Sequence, residues 1–129
     1  MQTFEKNIDK IYKDINKEKA FNANNCDEYI TEITNFLLLE SGKRYLPLSQ
    51  KDFKKLKQRG DVIVEKLFLL RLHLRGKLKK FYLQGDLTPD CVKKMRMAFR
   101  YARFIEEFII ETLVAMDTNP VKANPYNLS

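Results

Sequence analysis

The sequence predicts an all-α protein, a helical bundle of about four helices whose third and fourth form a long antiparallel hairpin. Three observations predict it. Only four Gly and four Pro interrupt 129 residues. Between those breakers, apolar residues recur at steps of three and four, the period of a helix with one buried face. The intervening composition is rich in Lys, Glu, Leu and Ile, most of which favour helix.

The first helix reads from about Thr3 to Lys19. Phe4, Ile8, Ile11, Tyr12 and Ile15 make its apolar stripe, Thr3 is placed to cap it, and paired Lys and acids cover the other face. Asn22 to Asn25 is a polar turn. The second helix spans about Cys26 to Ser41, started by Asn25 or Asp27. Tyr29, Ile30, Ile33, Phe36, Leu37 and Leu38 face inward, and Gly42 is the expected left-handed C′ residue. Pro47 forces Leu46 to be extended. Ser49 to Asp52 then reads as a capping box, with Leu48 and Phe53 as its hydrophobic staple.

The third helix runs from Gln50 to Leu83, about 50 Å at 1.5 Å per residue. Gly60 is a place for a bend or a division, and Gly76 weakens the helix further. Phe53, Leu56, Gly60, Ile63, Leu67, Leu70 and Leu74 alternate in steps of three and four. Val62, Val64, Phe68, Leu69 and Leu72 widen that stripe almost to the whole circumference, which predicts a central helix with several neighbours. Gly85 stops it. Thr88 caps the fourth helix, Pro89 occupies its first turn, and Asp90 suits its dipole. That helix continues to about Met116. Its expected inward residues are Val92, Met95, Phe99, Ala102, Ile105, Ile109, Leu113 and Met116, with Phe104, Phe108 and Ile110 alongside.

Length predicts one domain over residues 1–118, large enough to bury roughly two-thirds of its unfolded surface without a metal or disulfide staple. Residues 119–129, with Pro120 and Pro125, read as a tail. The N-terminus lacks the apolar core of a secretory signal, and no run of apolar residues is long enough to span a bilayer. An intracellular location is expected, cytoplasmic or, in a eukaryote, nuclear, with Cys26 and Cys91 as thiols.

Charge is the most informative feature. Residues 51–103 carry sixteen Lys and Arg against five Asp and Glu, a local net of +11, within a chain of net +7. This block also holds the longest apolar run, so a core and a cationic surface share one segment, which points to an anionic partner. Arg71, Arg75 and Lys79 form an i, i+4, i+8 stripe. Arg96, Arg100 and Arg103 form an i, i+4, i+7 stripe on the next helix. Pairing about the turn sets Lys79 beside Lys93 to Arg96, Arg75 near Arg96 to Arg100, and Arg71 near Arg100 to Arg103. With both stripes on one side, six cations line a groove that Lys93 extends, and Tyr82 and Tyr101 offer stacking faces. Arg binds phosphate bidentately, so this is the pattern of an anion or nucleic-acid site. The plainer alternative is a solvated face, or one neutralised within the fold by Glu28, Glu32, Glu40 or Glu107. A second basic run, Lys51 to Arg59, reads more simply as the solvated start of a helix.

Catalytic signatures are missing. His73 is the only histidine and reads as a surface residue, since a metal site needs several ligands. No Glu-x-x-His pair suggests a di-iron bundle. Glu106, Glu107 and Glu111 cluster, but Glu107 and Glu111 are more simply a solvated face. Cys26 and Cys91 each fall in a first helical turn, where the dipole favours a thiolate, yet a small buried side chain is the simpler assignment. No CxxC and no Gly-rich phosphate loop occurs.

The expected function is therefore a non-enzymatic binding module without cofactor or metal. Its Arg and Lys groove would hold an anionic partner, nucleic-acid (RNA or DNA) backbone ahead of an acidic protein. The alternative is an adaptor, chaperone or accessory subunit docking through its apolar and basic faces, as a homo- or hetero-oligomer. Peripheral membrane binding lacks an adjacent apolar wedge in the sequence.

Overall fold

A computed structural model describes residues 2–43 and 49–118 of the chain. It is an all-α bundle of four helices in these residues: α1 (Gln2–Ile15), α2 (Cys26–Gly42), α3 (Gln50–Leu83) and α4 (Pro89–Thr118). No strand occurs among the described residues, and none of their helices is long and apolar enough to cross a membrane. The tail and the Leu46–Pro47 connection lie outside the described residues, as do the side chains of the Thr3 cap and of Leu48 in the staple.

Two antiparallel hairpins stack on each other. In the first, Phe4 near the start of α1 meets Phe36 late in α2, with ring centroids 5.5 Å apart. Tyr29, early in α2, donates to Asp14 near the end of α1 at 3.0 Å. In the second, Arg71 of α3 reaches Glu106 of α4, and Gly60 faces Ile109 and Leu113. α1 lies parallel to α3, because Glu5, Asp9 and Tyr12 meet Arg59, Lys66 and His73 in ascending order. α2 lies parallel to α4: Thr88, just before α4, donates to Asp27 at 3.5 Å, and further along Lys94 donates to Thr31 at 3.1 Å. Helices one and two thus cover the inner face of the α3/α4 hairpin.

The core runs between the layers. Ile8 and Ile15 of α1, Ile30, Ile33 and Leu37 of α2, Leu56, Ile63, Leu67, Leu70, Leu74 and Leu78 of α3, and Ala98, Ala102, Ile105 and Ile109 of α4 are buried in it. Phe21, from the connection between α1 and α2, closes one end against Tyr29 and Phe81.

Local chemistry sets the helix ends. Ser49 caps α3, its hydroxyl accepting from the Asp52 amide at 3.0 Å. Thr88 caps α4, accepting from the Cys91 amide at 3.1 Å. Behind α3, the Asp86 amide returns to the Phe81 carbonyl and the Gly85 amide to Tyr82. These paired bonds are a Schellman motif, and they need the left-handed Gly85, whose φ is +76°.

Several expectations are corrected. α1 stops at Ile15 rather than Lys19, where the Asn16 side chain donates to the Tyr12 carbonyl and the chain turns Phe21 back to the core. Gly42 is helical, and the cap is Lys43 in right-handed conformation, so the predicted left-handed glycine is absent there. The Asn25 side chain makes no cap bond, because it is engaged with the Asn22 amide and the Ala20 carbonyl. α3 passes unbroken through Gly60, which is buried against α4. The largest correction concerns the breadth of the apolar stripe. α3 packs against α1 and α4, and its outer face stays open, with Phe68, Leu69 and Leu72 exposed. Leu38 of α2 and Ile110 of α4 are exposed as well.

Candidate anion-binding groove

The α3/α4 hairpin turns one side inward to α1 and α2 and the other outward. On the outer side, near the Gly85 turn, the two helices leave an open groove of about 770 Å³. α3 contributes Leu72, Arg75, Gly76, Lys79 and Tyr82 to its walls, and α4 contributes Val92, Met95, Arg96 and Phe99. Helical spacing produces this lining. Residues 72, 75, 76, 79 and 82 fall on one face of α3, as do 92, 95, 96 and 99 on α4. Val92, Met95 and Phe99 were expected to point into the core. They are half-buried and form the groove's apolar wall, and Met95 and Phe99 also pack against the core. Cys91 and Ala98 are buried beside the expected Ala102.

Four of the nine sequence-predicted site residues therefore converge: Arg75, Lys79, Arg96 and Tyr82. Arg75, Lys79 and Arg96 are exposed and make no ion pair with another described residue. No carboxylate is among the lining residues. Three unmatched cations against apolar walls concentrate positive potential in a partly desolvated cleft. Tyr82 is 58% exposed and offers both a ring face and a hydroxyl.

The other five are placed differently. Arg71 is held by its own fold: Nε lies 2.9 Å and Nη2 3.2 Å from the carboxylate of Glu106, itself buried. Its guanidinium also lies 5.4 Å from the Phe68 ring centroid. Arg103 pairs with Glu107 one turn along α4 at 3.1 Å. Lys93 and Arg100 are exposed on α4 outside the groove lining. Tyr101 packs, half-buried, against the hydrophobic core, so its ring is not a groove face. Of the acids expected to neutralise the patch, Glu107 does so, while Glu40 pairs with Lys43. Glu106 is the neutralising residue that the spacing did not reveal. Its signal was its place on α4, between Phe99 and Ile110 along a single stripe, where a carboxylate needs a partner.

A second polar cluster, also missed, joins α1 to α3. Glu5, 9% exposed, accepts from Arg59 at 2.6 and 3.2 Å and from Lys66 at 2.7 Å, and Asp9 also meets Lys66. The hydrogen bonds from Arg59 and Lys66 hold the Glu5 carboxyl down at about 2, and in turn raise both cations. The basic run from Lys51 thus ends in an internal pair at Arg59 instead of continuing as a solvated face. His73 is exposed, its Nε2 3.2 Å from the Tyr12 hydroxyl and its Nδ1 3.3 Å from Asn16 Oδ1. That arrangement suits a ring donating from Nδ1 to the amide oxygen and accepting at Nε2.

Both thiols are buried where α2 and α4 begin. Burial pushes the Cys91 thiol up to about 12, reinforced by its hydrogen bond to Asp27, and burial raises Cys26 as well. Desolvation outweighs the helix dipole, so these are packing residues in their neutral form. Among the described residues, no group of three His, Cys, Asp or Glu side chains could hold a metal ion. Comparisons of this chain with protein-family models, with curated proteins and with solved structures find no match.

Proposed function

We propose that this chain is a non-enzymatic binding module whose α3/α4 groove holds an anionic partner. The observation that carries the reading is the convergence of Arg75, Lys79 and Arg96 on a cleft without a carboxylate. Elsewhere on the same helices Arg59, Lys66, Arg71 and Arg103 are matched by acids of the fold. Among anionic partners, an acidic protein surface fits better than a bare phosphate backbone. Leu72, Val92 and Met95 make up most of the apolar lining, beside the rings of Tyr82 and Phe99, and they suit apolar side chains inserted between acidic ones. Nucleic-acid backbone is the second reading, favoured by the exposed Tyr82 ring beside two arginines.

Fluorescence anisotropy separates the two. Poly-L-glutamate and a labelled single-stranded RNA serve as probes across a salt series, with wild type and an Arg75→Glu/Arg96→Glu variant. The reading expects salt-dependent binding of poly-L-glutamate that the variant loses by about tenfold or more. Binding of RNA alone would move the assignment to nucleic acid. A response indifferent to salt, or unchanged in the variant, would remove the groove from the function altogether.

A further inference from the structure

We propose that the outer face of α3 pairs antiparallel with α3 of a second copy of this chain, setting Glu65 against Arg75 and Asp61 against Lys79 across a two-fold axis level with Leu70. This rests on the groove being a protein-docking surface, and it names the acidic partner as the chain itself.

The argument begins with spacing. Asp61, Glu65, Phe68, Leu72, Arg75 and Lys79 are all exposed, and they follow one another in steps of four and three without exception. That is a heptad seam, the pattern two helices use to pack side by side. It differs from the inward stripe of Ile63, Leu67, Leu70, Leu74 and Leu78, which the core already occupies. α3 therefore carries two seams, and only one has a neighbour among the described residues.

The chemistry of the second seam is ordered: two acids, two apolar residues, two cations. Reversing the helix exchanges acids for cations and leaves the apolar pair in the middle. An antiparallel copy centred at Leu70 consequently meets complementary groups at every level. Phe68 lies over Leu72 of the second copy, Glu65 over Arg75, and Asp61 over Lys79. A parallel copy would put acid on acid and cation on cation, which is destabilising. Closed two-fold contact also requires a self-complementary patch, and this stripe is one.

Three further observations agree. Asp61, Glu65, Arg75 and Lys79 make no ion pair with another described residue, although neighbouring charges on α3 do. Phe68 and Leu72 remain 47% and 53% exposed at the middle of the longest helix, a position that solvent alone does not explain. A Cβ on Gly76 would meet nothing within 4 Å, so the fold of one copy does not require glycine there. Its absent side chain leaves room beside Arg75 for the second helix. Asp61 and Glu65 also argue against a phosphate backbone along this seam, since they would repel it.

Sedimentation equilibrium of the full chain from micromolar to millimolar concentration tests the pairing. Wild type should associate to a dimer, more weakly at high salt. Glu65→Arg and Arg75→Glu should each weaken the dimer by about tenfold, because the two-fold places two such pairs in every dimer. The double variant Glu65→Arg/Arg75→Glu should restore it, and Leu72→Asp should abolish it. Leu39→Asp, on exposed α2 surface, should change nothing. Circular dichroism of each variant confirms an intact fold, as every substituted position is exposed. A monomer at all concentrations, or a double variant no better than the singles, overturns the proposal. If that monomer still holds poly-L-glutamate, only the self-pairing fails; if it holds none, the docking reading falls with it.

Discussion

Glu5 shows what one buried carboxylate does in this fold. Two cations of α3 reach it from the solvent side, and their hydrogen bonds stabilise its charged form. Its carboxyl titrates near 2 in the folded chain against an ordinary value of 4.5. A depressed carboxyl contributes stability above the unfolded value and loses it as pH falls toward the folded one. Glu5→Gln should therefore cost about 1–2 kcal/mol at neutral pH, and it should flatten the acid limb of stability between roughly pH 4.5 and 2. Urea titrations of both proteins over that range check it, and parallel acid limbs would contradict it. The same scale explains the uneven fate of the predicted arginines. Arg71 and Arg75 are one turn apart on one stripe and identical in chemistry. Glu106 reaches Arg71 from across the hairpin, while Arg75 opens onto the groove. No spacing within α3 distinguishes them, because the deciding group is 35 residues away.

At the level of elements, the two hydroxyl caps and the glycine stop around α3 and α4 were legible, while the Asn25 cap of α2 was not. Ser49, Thr88 and Gly85 act where the sequence places them, since each works through neighbours three to five residues away. Gly60 is a point of packing and not a break, because its role is set by what lies against it; at exposed Gly42, where a Cβ would meet nothing within 4 Å, the helix simply runs on to Lys43. Gly60 allows α3 and α4 to approach: a Cβ there would lie 2.9 Å from Leu113 Cδ1 and 3.3 Å from Ile109 Cγ2. Alanine offers about 1 kcal/mol of helix propensity. Overpacking costs about 1–3 kcal/mol, and the β-branched, fully buried Ile109 yields little. Gly60→Ala should accordingly be less stable by about 1 kcal/mol despite its better propensity. Equilibrium unfolding measures this, and a stabilised variant would show that Leu113 simply swings aside.

For the molecule as a whole, the question is how two hairpins become one bundle. Phe21 is central to it, lying outside the helices yet buried among Tyr29 of α2 and Phe81 of α3. Phe21→Ala should cost about 3–5 kcal/mol, and hydrogen exchange should rise together in both hairpins. Loss confined to α1 and α2 would mean that the hairpins are stabilised separately. The sequence by itself determined the helical class, the positions of the four helices and the cationic character of the α3/α4 segment. These depend on periodicity, caps and charge, all local along the chain. Only the tertiary structure decided which cations are spent on internal acids, that half-buried Val92, Met95 and Phe99 line an outer groove, and that α3 keeps a second, unfilled seam. Those outcomes depend on which helix faces are covered, and α3 has apolar residues on more of its surface than α1 and α4 can bury.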